Sequence, residues 1–428
     1  MRILIGIWEV AGYYRNLTIG FRRLGIEADL LTAIPSRFYY GEVGKLNPLF
    51  RTWRRVSIKF ITSFRQGHLI NTIFWGLVYS ALLCVLLPFI IYHYDVIIFG
   101  YGLTFTNTSL ELWLYKKMGI KIIFVFNGSD SRPPYIDGSF MYKGSPYTLE
   151  SVRKLTSAQK KKIERIDHFA DIVINAIPQA HFHSRSFINV LILGLPYDLT
   201  SHVPVFEKGP VDKQVRILHS PSHEEGKGTR QFYEIIDRLR TKGYNIELVV
   251  ISGMPNAKVI EELKKCDFVL DELYSDTPMA GLAAEAAQFG KPTVVGGYYA
   301  NQVYEYNDAE NIPPTLFVHP DNIESAIEKM IVDRDFRIDL GRRAYEFVHS
   351  FWMPEHVAAK YLQIINNDFP KKWLCETKNI RYVHGWGLPE WRVKEVIRMM
   401  IENYGVKSLK LDDKPELEKN FIQFAGSN

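Results

Sequence analysis

Val215-Arg-Ile-Leu-His219-Ser-Pro-Ser-His-Glu-Glu-Gly226-Lys227-Gly228-Thr229 is the stretch on which the fold turns. A short, mostly apolar run enters a glycine turn, and a helical pattern follows over 229–242. Strand, loop and helix in that order form one unit of a parallel α/β sheet. The alternation continues downstream, with strands at 246–252, 267–270, 292–295 and 316–318 and helices at 256–265 and 279–289. It also runs upstream, with strands at 2–8, 26–32, 95–100, 121–126, 171–175 and 190–193 and helices at 106–118 and 149–170. Residues 199–213 lie between the two series. They are polar, contain Pro and Gly, have no period and read as a linker.

Two such series predict an α/β fold of two Rossmann-like, doubly wound domains facing a cleft, with ligands at the carboxyl ends of the strands. We divide the chain into domains 1–200 and 207–350, a crossover helix in 351–370 and an extension, 371–428. Helical spacing marks 322–350 and 354–367. Trp386-Gly-Leu-Pro389-Glu390 reads as the start of a helix that runs to about 403 and stops at Gly405.

Composition excludes several classes. Of 428 residues, 47% are hydrophobic and 23% charged, which rules out disordered and low-complexity chains. The cysteines Cys84, Cys266 and Cys375 are too few and too scattered for a disulfide framework or a cysteine zinc site. Residues 1–200 hold 23 Lys+Arg against 13 Asp+Glu, and the remainder 29 against 34, so charges of +10 and −5 make up the net +5. That asymmetry argues against a nucleic-acid partner and suits one face turned to an anionic surface. Met1 runs straight into a strand with no secretory pattern, which favours the cytoplasm.

From Ile73 to Tyr92 there are twenty residues without a charge. Residues 41–70 just before carry Lys45, Arg51, Arg54, Arg55, Lys59 and Arg65 against Glu42 alone. A spanning helix, a buried helix and a helix lying in the membrane interface all fit this run. Strands on both sides belong to one sheet, and Gly76 and Pro88 interrupt the run, so we expect 41–92 to be an interfacial, membrane-associating segment. Trp53, Phe74 and Trp75 are its expected apolar anchors, and the basic residues would add about 1 kcal/mol each at an anionic surface.

Two segments carry chemistry. In 219–229 a glycine turn opens a helix whose free amides accept an anion, and Lys227 adds a full charge. The spacing is not that of a Walker loop. In 276–292, Glu285 sits among Ala and Gly with Phe289 at i+4, so no local cation competes for its hydrogen bonds with a diol such as a ribose. In the first half, Asn127-Gly-Ser-Asp130-Ser-Arg132 follows a strand and aims Asp130 and Arg132 at the cleft. The loop Glu9–Arg15 contains Gly12, which permits close backbone approach. His181 and His183 share a strand face but have no carboxylate or cysteine nearby in sequence, so no metal site is expected.

The pattern strand, Lys227-Gly228, helix, then Glu285-Ala-x4-Gly-x-Pro292 resembles the GT-B-fold glycosyltransferases, close to the large family-4-like retaining group. The resemblance covers about 1–367 in organisation and is specific in 215–295. It implies transfer of a sugar from a nucleotide diphosphate sugar, with anomeric configuration retained and no bound cofactor or metal. Lys227 and Asp276 would be catalytic on the donor side, with Asp130 opposite. Ser220, Gly228, Thr229, Gly281 and Glu285 would bind the donor, and Glu285 the ribose. Glu9, Gly12, Arg15 and Arg132 would serve the acceptor. The chain departs from the family at Ser220-Pro221, which replaces Gly-Arg, and at Thr277, where the family's first Glu would fall with Asp276 one residue before it. A lipid-linked or polysaccharide acceptor at the inner face of the cell membrane is the expectation. A sugar-nucleotide epimerase, a phosphorylase or a non-catalytic membrane-bound scaffold of the same fold are the alternatives.

Overall fold

The computed structural model describes residues 1–34, 46–198, 203–206 and 214–427. Lys45 and Glu42 of the basic segment and most of the linker at 199–213 lie outside the described residues.

Among the described residues, twelve strands form two sheets. They are β1 (Arg2–Ile7), β2 (Glu27–Thr32), β3 (Val96–Gly100), β4 (Lys121–Val125), β5 (Ile172–Asn175), β6 (Phe187–Asn189), β7 (Val215–His219), β8 (Ile246–Val250), β9 (Phe268–Leu270), β10 (Thr293–Gly296), β11 (Leu316–Val318) and β12 (Leu374–Cys375). The first sheet has the order β12-β6-β5-β4-β3-β1-β2 and the second β11-β10-β9-β7-β8. Every pairing is parallel except β12, which runs antiparallel along β6. Strands β3, β5 and β10 are buried along their whole length. Their Val/Ile-rich composition follows, because helices cover both faces of a parallel sheet.

The strand expected at 190–193 is a helical turn, Val190–Leu193, and the strand is the preceding Phe187–Asn189. The Asn189 side chain accepts the Leu191 N–H and turns the chain out of the sheet, a capping preference that outweighs the β-branched run. The helix expected over 322–350 is two helices, Ile323–Val332 and Arg334–Phe351, divided at Asp333, whose side chain caps the second.

The chain crosses back to the first lobe through the helix Pro354–Ile365. It packs on the helix Tyr13–Arg23 at Gly20, where an added Cβ would stand 2.0 Å from the Pro354 carbonyl oxygen. The extension then joins the same lobe. Val393, Ile397, Met400, Leu417 and Phe421 share one core with Ile97, Phe124 and Tyr135.

Helices Pro48–Arg65 and Leu69–His93 form a hairpin on the first lobe. Trp53 is fully buried in the lobe's core rather than available as a membrane anchor, because its face of the helix packs on Tyr79 and Phe105. The second helix is long and apolar enough to cross a membrane, with a mean hydropathy of 2.3 in its most apolar window. Only 17% of that window is buried. Leu83, Leu86 and Ile90 dock on the lobe, whereas Leu69, Ile70, Ile73, Phe74 and Leu77 are exposed. A buried core helix, one of the three readings, is therefore excluded.

Candidate functional site

Loops leaving the carboxyl ends of β1, β4, β7 and β9 meet across a cleft of about 690 Å³. Of the residues expected there, Glu9, Arg132, Ser220, Lys227, Asp276, Gly281 and Glu285 line it. Asp130, Gly12, Arg15, Gly228 and Thr229 do not.

Each of those five has another task. Asp130 is buried and its carboxylate accepts the Asn127 N–H at 3.0 and 3.3 Å, closing the turn after β4. Gly12 is the left-handed residue that starts the helix Tyr13–Arg23. Arg15 donates sideways to Asn16. Gly228 is left-handed and lies against Leu273, where an added Cβ would come within 2.5 Å. The Thr229 hydroxyl is 2.8 Å from His219 Nε2, and His219 Nδ1 is 2.8 Å from the Leu270 carbonyl. A carbonyl only accepts, so Nδ1 carries the proton and Nε2 accepts from Thr229. Burial lowers this imidazole to about 4, so it is neutral at pH 7.

The second-lobe wall is built around Lys227, which ends the short turn Glu224–Lys227. Its ammonium is 2.9 Å from Asp271 Oδ1 and 2.5 Å from Glu272 Oε1, both just past the end of β9. Burial pulls its pKa down, but the two carboxylates more than reverse this and hold it above its ordinary value. The resemblance gives Lys227 a diphosphate to hold, and two carboxylates already compensate its charge. An ammonium has three N–H donors, and these two carboxylates take two of them. Among the described residues Asp271 Oδ2 is buried without a hydrogen-bond partner, and desolvation raises that carboxyl.

Glu285 lies in the helix Gly281–Gln288, whose alanines are fully buried. Its hydrogen-bond partner is Asn256, at 2.8 Å. Burial, opposed only partly by Asn256, raises the carboxyl to about 7. On the first-lobe wall Glu9 accepts the N–H groups of Arg15 at 2.9 Å and Tyr14 at 3.3 Å. Desolvation outweighs those bonds and raises it also to about 7.

Arg132 and Asp276, expected to serve different substrates, pair with each other across the two lobes. Arg132 Nη2 and Nε reach Asp276 Oδ2 at 2.5 and 3.0 Å, and Nη1 reaches Asp137 Oδ2 at 2.8 Å. Gln179 adds a bond to Asp276 at 3.2 Å. All four groups are buried. His181 and His183 also have partners. His181 Nε2 lies 2.7 Å from the Tyr382 carbonyl, and His183 pairs with Asp167 at 2.7 Å, a carboxylate sixteen positions upstream and invisible to local spacing.

Sequence reasoning missed Asp271, Glu272, Asn256 and Trp386. The two acids had a signal in their place directly after a parallel strand, where ligands bind, and Glu272 lines the cleft. Trp386 had one too, in its flanking glycines Gly385 and Gly387.

No family model and no curated protein matches this chain. Among solved structures it is similar to an alpha-glucosyltransferase in complex with UDP and a 13-mer DNA, at 12% identity over 86% of this chain and 100% of that one, with a TM-score of 0.46. It is similar to HepE of Anabaena in complex with UDP-glucose at 11% identity, over 85% and 99% of the two chains, TM-score 0.46. The glycosyltransferase SnogD of Streptomyces nogalater gives 12% identity over 85% and 99%, TM-score 0.37.

Proposed function

We propose that this chain is a glycosyltransferase that binds a nucleotide diphosphate sugar against its second lobe. The observation that carries the reading is the placement of Lys227 and Glu285 on one wall of a cleft between two parallel sheets, at the carboxyl ends of the strands. The third N–H of Lys227 faces the diphosphate and stabilises the charge that develops on it as the bond from the sugar to the phosphate breaks. Glu285, held on one oxygen by Asn256, accepts the ribose hydroxyls. Ser220 and Gly281 frame the same wall. The acceptor hydroxyl approaches from the first lobe, where Glu9, poised near neutrality, orients it. The retaining course rests on the resemblance in 215–295.

The acceptor is a lipid-linked or polysaccharide chain at the cytoplasmic face of a membrane. The helix Leu69–His93 supports this, since it leaves Leu69, Ile70, Ile73, Phe74 and Leu77 uncovered, and the other helix of the hairpin exposes Arg51, Arg55, Lys59 and Arg65. Arg65 also lines the cleft, so the apolar hairpin and the cleft mouth are neighbours.

A melting screen against nucleotide diphosphate sugars tests the donor assignment. A ligand at 100 times its dissociation constant stabilises by about 2.7 kcal/mol. The absence of any shift across sugars and free nucleoside diphosphates overturns the reading. Flotation with phosphatidylglycerol and phosphatidylcholine vesicles tests the surface. Replacing Arg51, Arg55 and Lys59 with Gln is expected to weaken binding to the anionic vesicles only, and equal binding removes the electrostatic part.

A further inference from the structure

We propose that Trp386 completes the donor site as a positioning residue, setting the anion affinity of Lys227 through Glu272. This rests on the donor reading of that wall. The extension is thereby part of the site rather than an appendage beside it.

Trp386 lines the cleft. Its indole N–H donates to Glu272 Oε2 at 2.7 Å, while the other oxygen of the same carboxylate holds Lys227 at 2.5 Å. The face of the ring lies 5.5 Å from the Arg132 guanidinium carbon. One side chain therefore touches the counter-ion of Lys227 and the cation of the interlobe pair.

The chain is cut to receive this ring. Trp386 bonds by its backbone to both neighbours on the first lobe, its N–H to Ile136 O at 3.1 Å and its carbonyl to the Gly138 N–H at 2.7 Å. The next residue, Gly387, donates to Tyr274 O of the second lobe at 2.8 Å. Four glycines clear the path. An added Cβ at Gly385 would stand 1.8 Å from Ile136 O, and one at Gly138 2.6 Å from Gly387 O. At Gly226, one residue before Lys227, it would meet the indole at 2.9 Å. Gly387 has a φ of +70°, as left-handed as Gly385.

The physical consequence follows from carboxylate geometry. While the indole holds Oε2, Glu272 presents a single oxygen to Lys227. Without that N–H the carboxylate is free to turn both oxygens on the ammonium and to compete with an incoming phosphate for its third donor.

Inorganic pyrophosphate, titrated by calorimetry, is the probe. Trp386→Phe, which keeps a ring and loses the N–H, is expected to weaken pyrophosphate at least fivefold. Glu272→Ala is expected to tighten it, and adding Trp386→Phe to Glu272→Ala is expected to change nothing further. A Trp386→Phe affinity within twofold of the parent, or an equal loss in both backgrounds, overturns the proposal. If the Phe variant does not fold, benzothienylalanine at 386, which keeps the bicyclic shape without the N–H, is read by the same criteria. The donor reading fails separately: a parent chain that binds neither pyrophosphate nor any nucleoside diphosphate removes both, whereas a parent that binds and a variant that binds equally removes only this one.

Discussion

Two buried clusters in this molecule have the same composition, one cation between two carboxylates, and different connectivity. Lys227, Asp271 and Glu272 lie within the second lobe, the lysine at the end of a helical turn after β7 and the two acids directly after β9. Arg132, Asp137 and Asp276 join the first lobe to the second. The first cluster uses two of three donors on a flexible ammonium and leaves the third to the proposed donor. The second spends a rigid guanidinium fork on fixed partners. A buried ion group is thus a site or a latch according to what its cation has left to offer and whether its partners can move apart.

The largest effect belongs to the latch. Arg132→Ala strands Asp137 and Asp276 in the interior, and breaking a buried pair in this way costs about 3–5 kcal/mol. Differential scanning calorimetry is expected to show a lowered midpoint and two transitions, one for each lobe. Lys227→Gln keeps an N–H and removes the charge. It leaves Asp271 and Glu272 buried without their cation but within one lobe, so it is expected to lower the midpoint while melting in one transition, and to lose at least tenfold in pyrophosphate or donor affinity, about 1.4 kcal/mol. If both variants melt as one transition with equal shifts, the contrast between the clusters collapses.

Glu285 sharpens the contrast as a carboxyl whose partner among the described residues is an amide, Asn256, and not a cation. Its pKa in the folded chain is raised to about 7 from an ordinary 4.5. Its contribution to stability is therefore complete below pH 4.5 and is lost as the pH rises through 7. The Glu285→Gln variant is expected to lack that decline in melting temperature between pH 4.5 and 7. Donor binding runs the other way. An ionised Glu285 is the better acceptor for hydroxyls, so parent affinity rises through pH 7 and the variant's does not. A variant with the parent's pH profile removes Glu285 from the site. The smallest effect is at Asp130, which belongs to neither cluster. Asp130→Asn keeps one acceptor for the Asn127 N–H, so a stability change of about 1 kcal/mol and a donor affinity within twofold of the parent are expected.

The parts of this picture that sequence makes legible are those encoded within a dozen residues. Strand and helix alternation is local, and so are Lys227 before a glycine at a helix start and Glu285 in a run of alanines. The partners of charged groups are not. Arg132 and Asp276 each suggest a cleft residue from their own surroundings, but their pairing spans 144 positions and depends on how the lobes meet. The pairing of His183 with Asp167, sixteen positions apart, is hidden from local spacing for the same reason. Trp53 shows a different gap: an aromatic in a basic, apolar stretch suits a membrane, yet the helix turns that face inward onto Phe105. Trp386 depends on glycines from three separate regions of the chain, Gly138, Gly226 and its own neighbours, and no single window contains them.

The antiparallel strand β12 and the helix Glu390–Tyr404 finish the first lobe with residues that follow the whole of the second. On the ribosome this inverts the order of completion. The second lobe has all five strands available once residue 318 has emerged, while the lobe synthesised first waits for Phe421 to close its core. A nascent chain halted before the extension therefore carries an open hydrophobic seam on its oldest part, and is the species for which a chaperone has the most to shield.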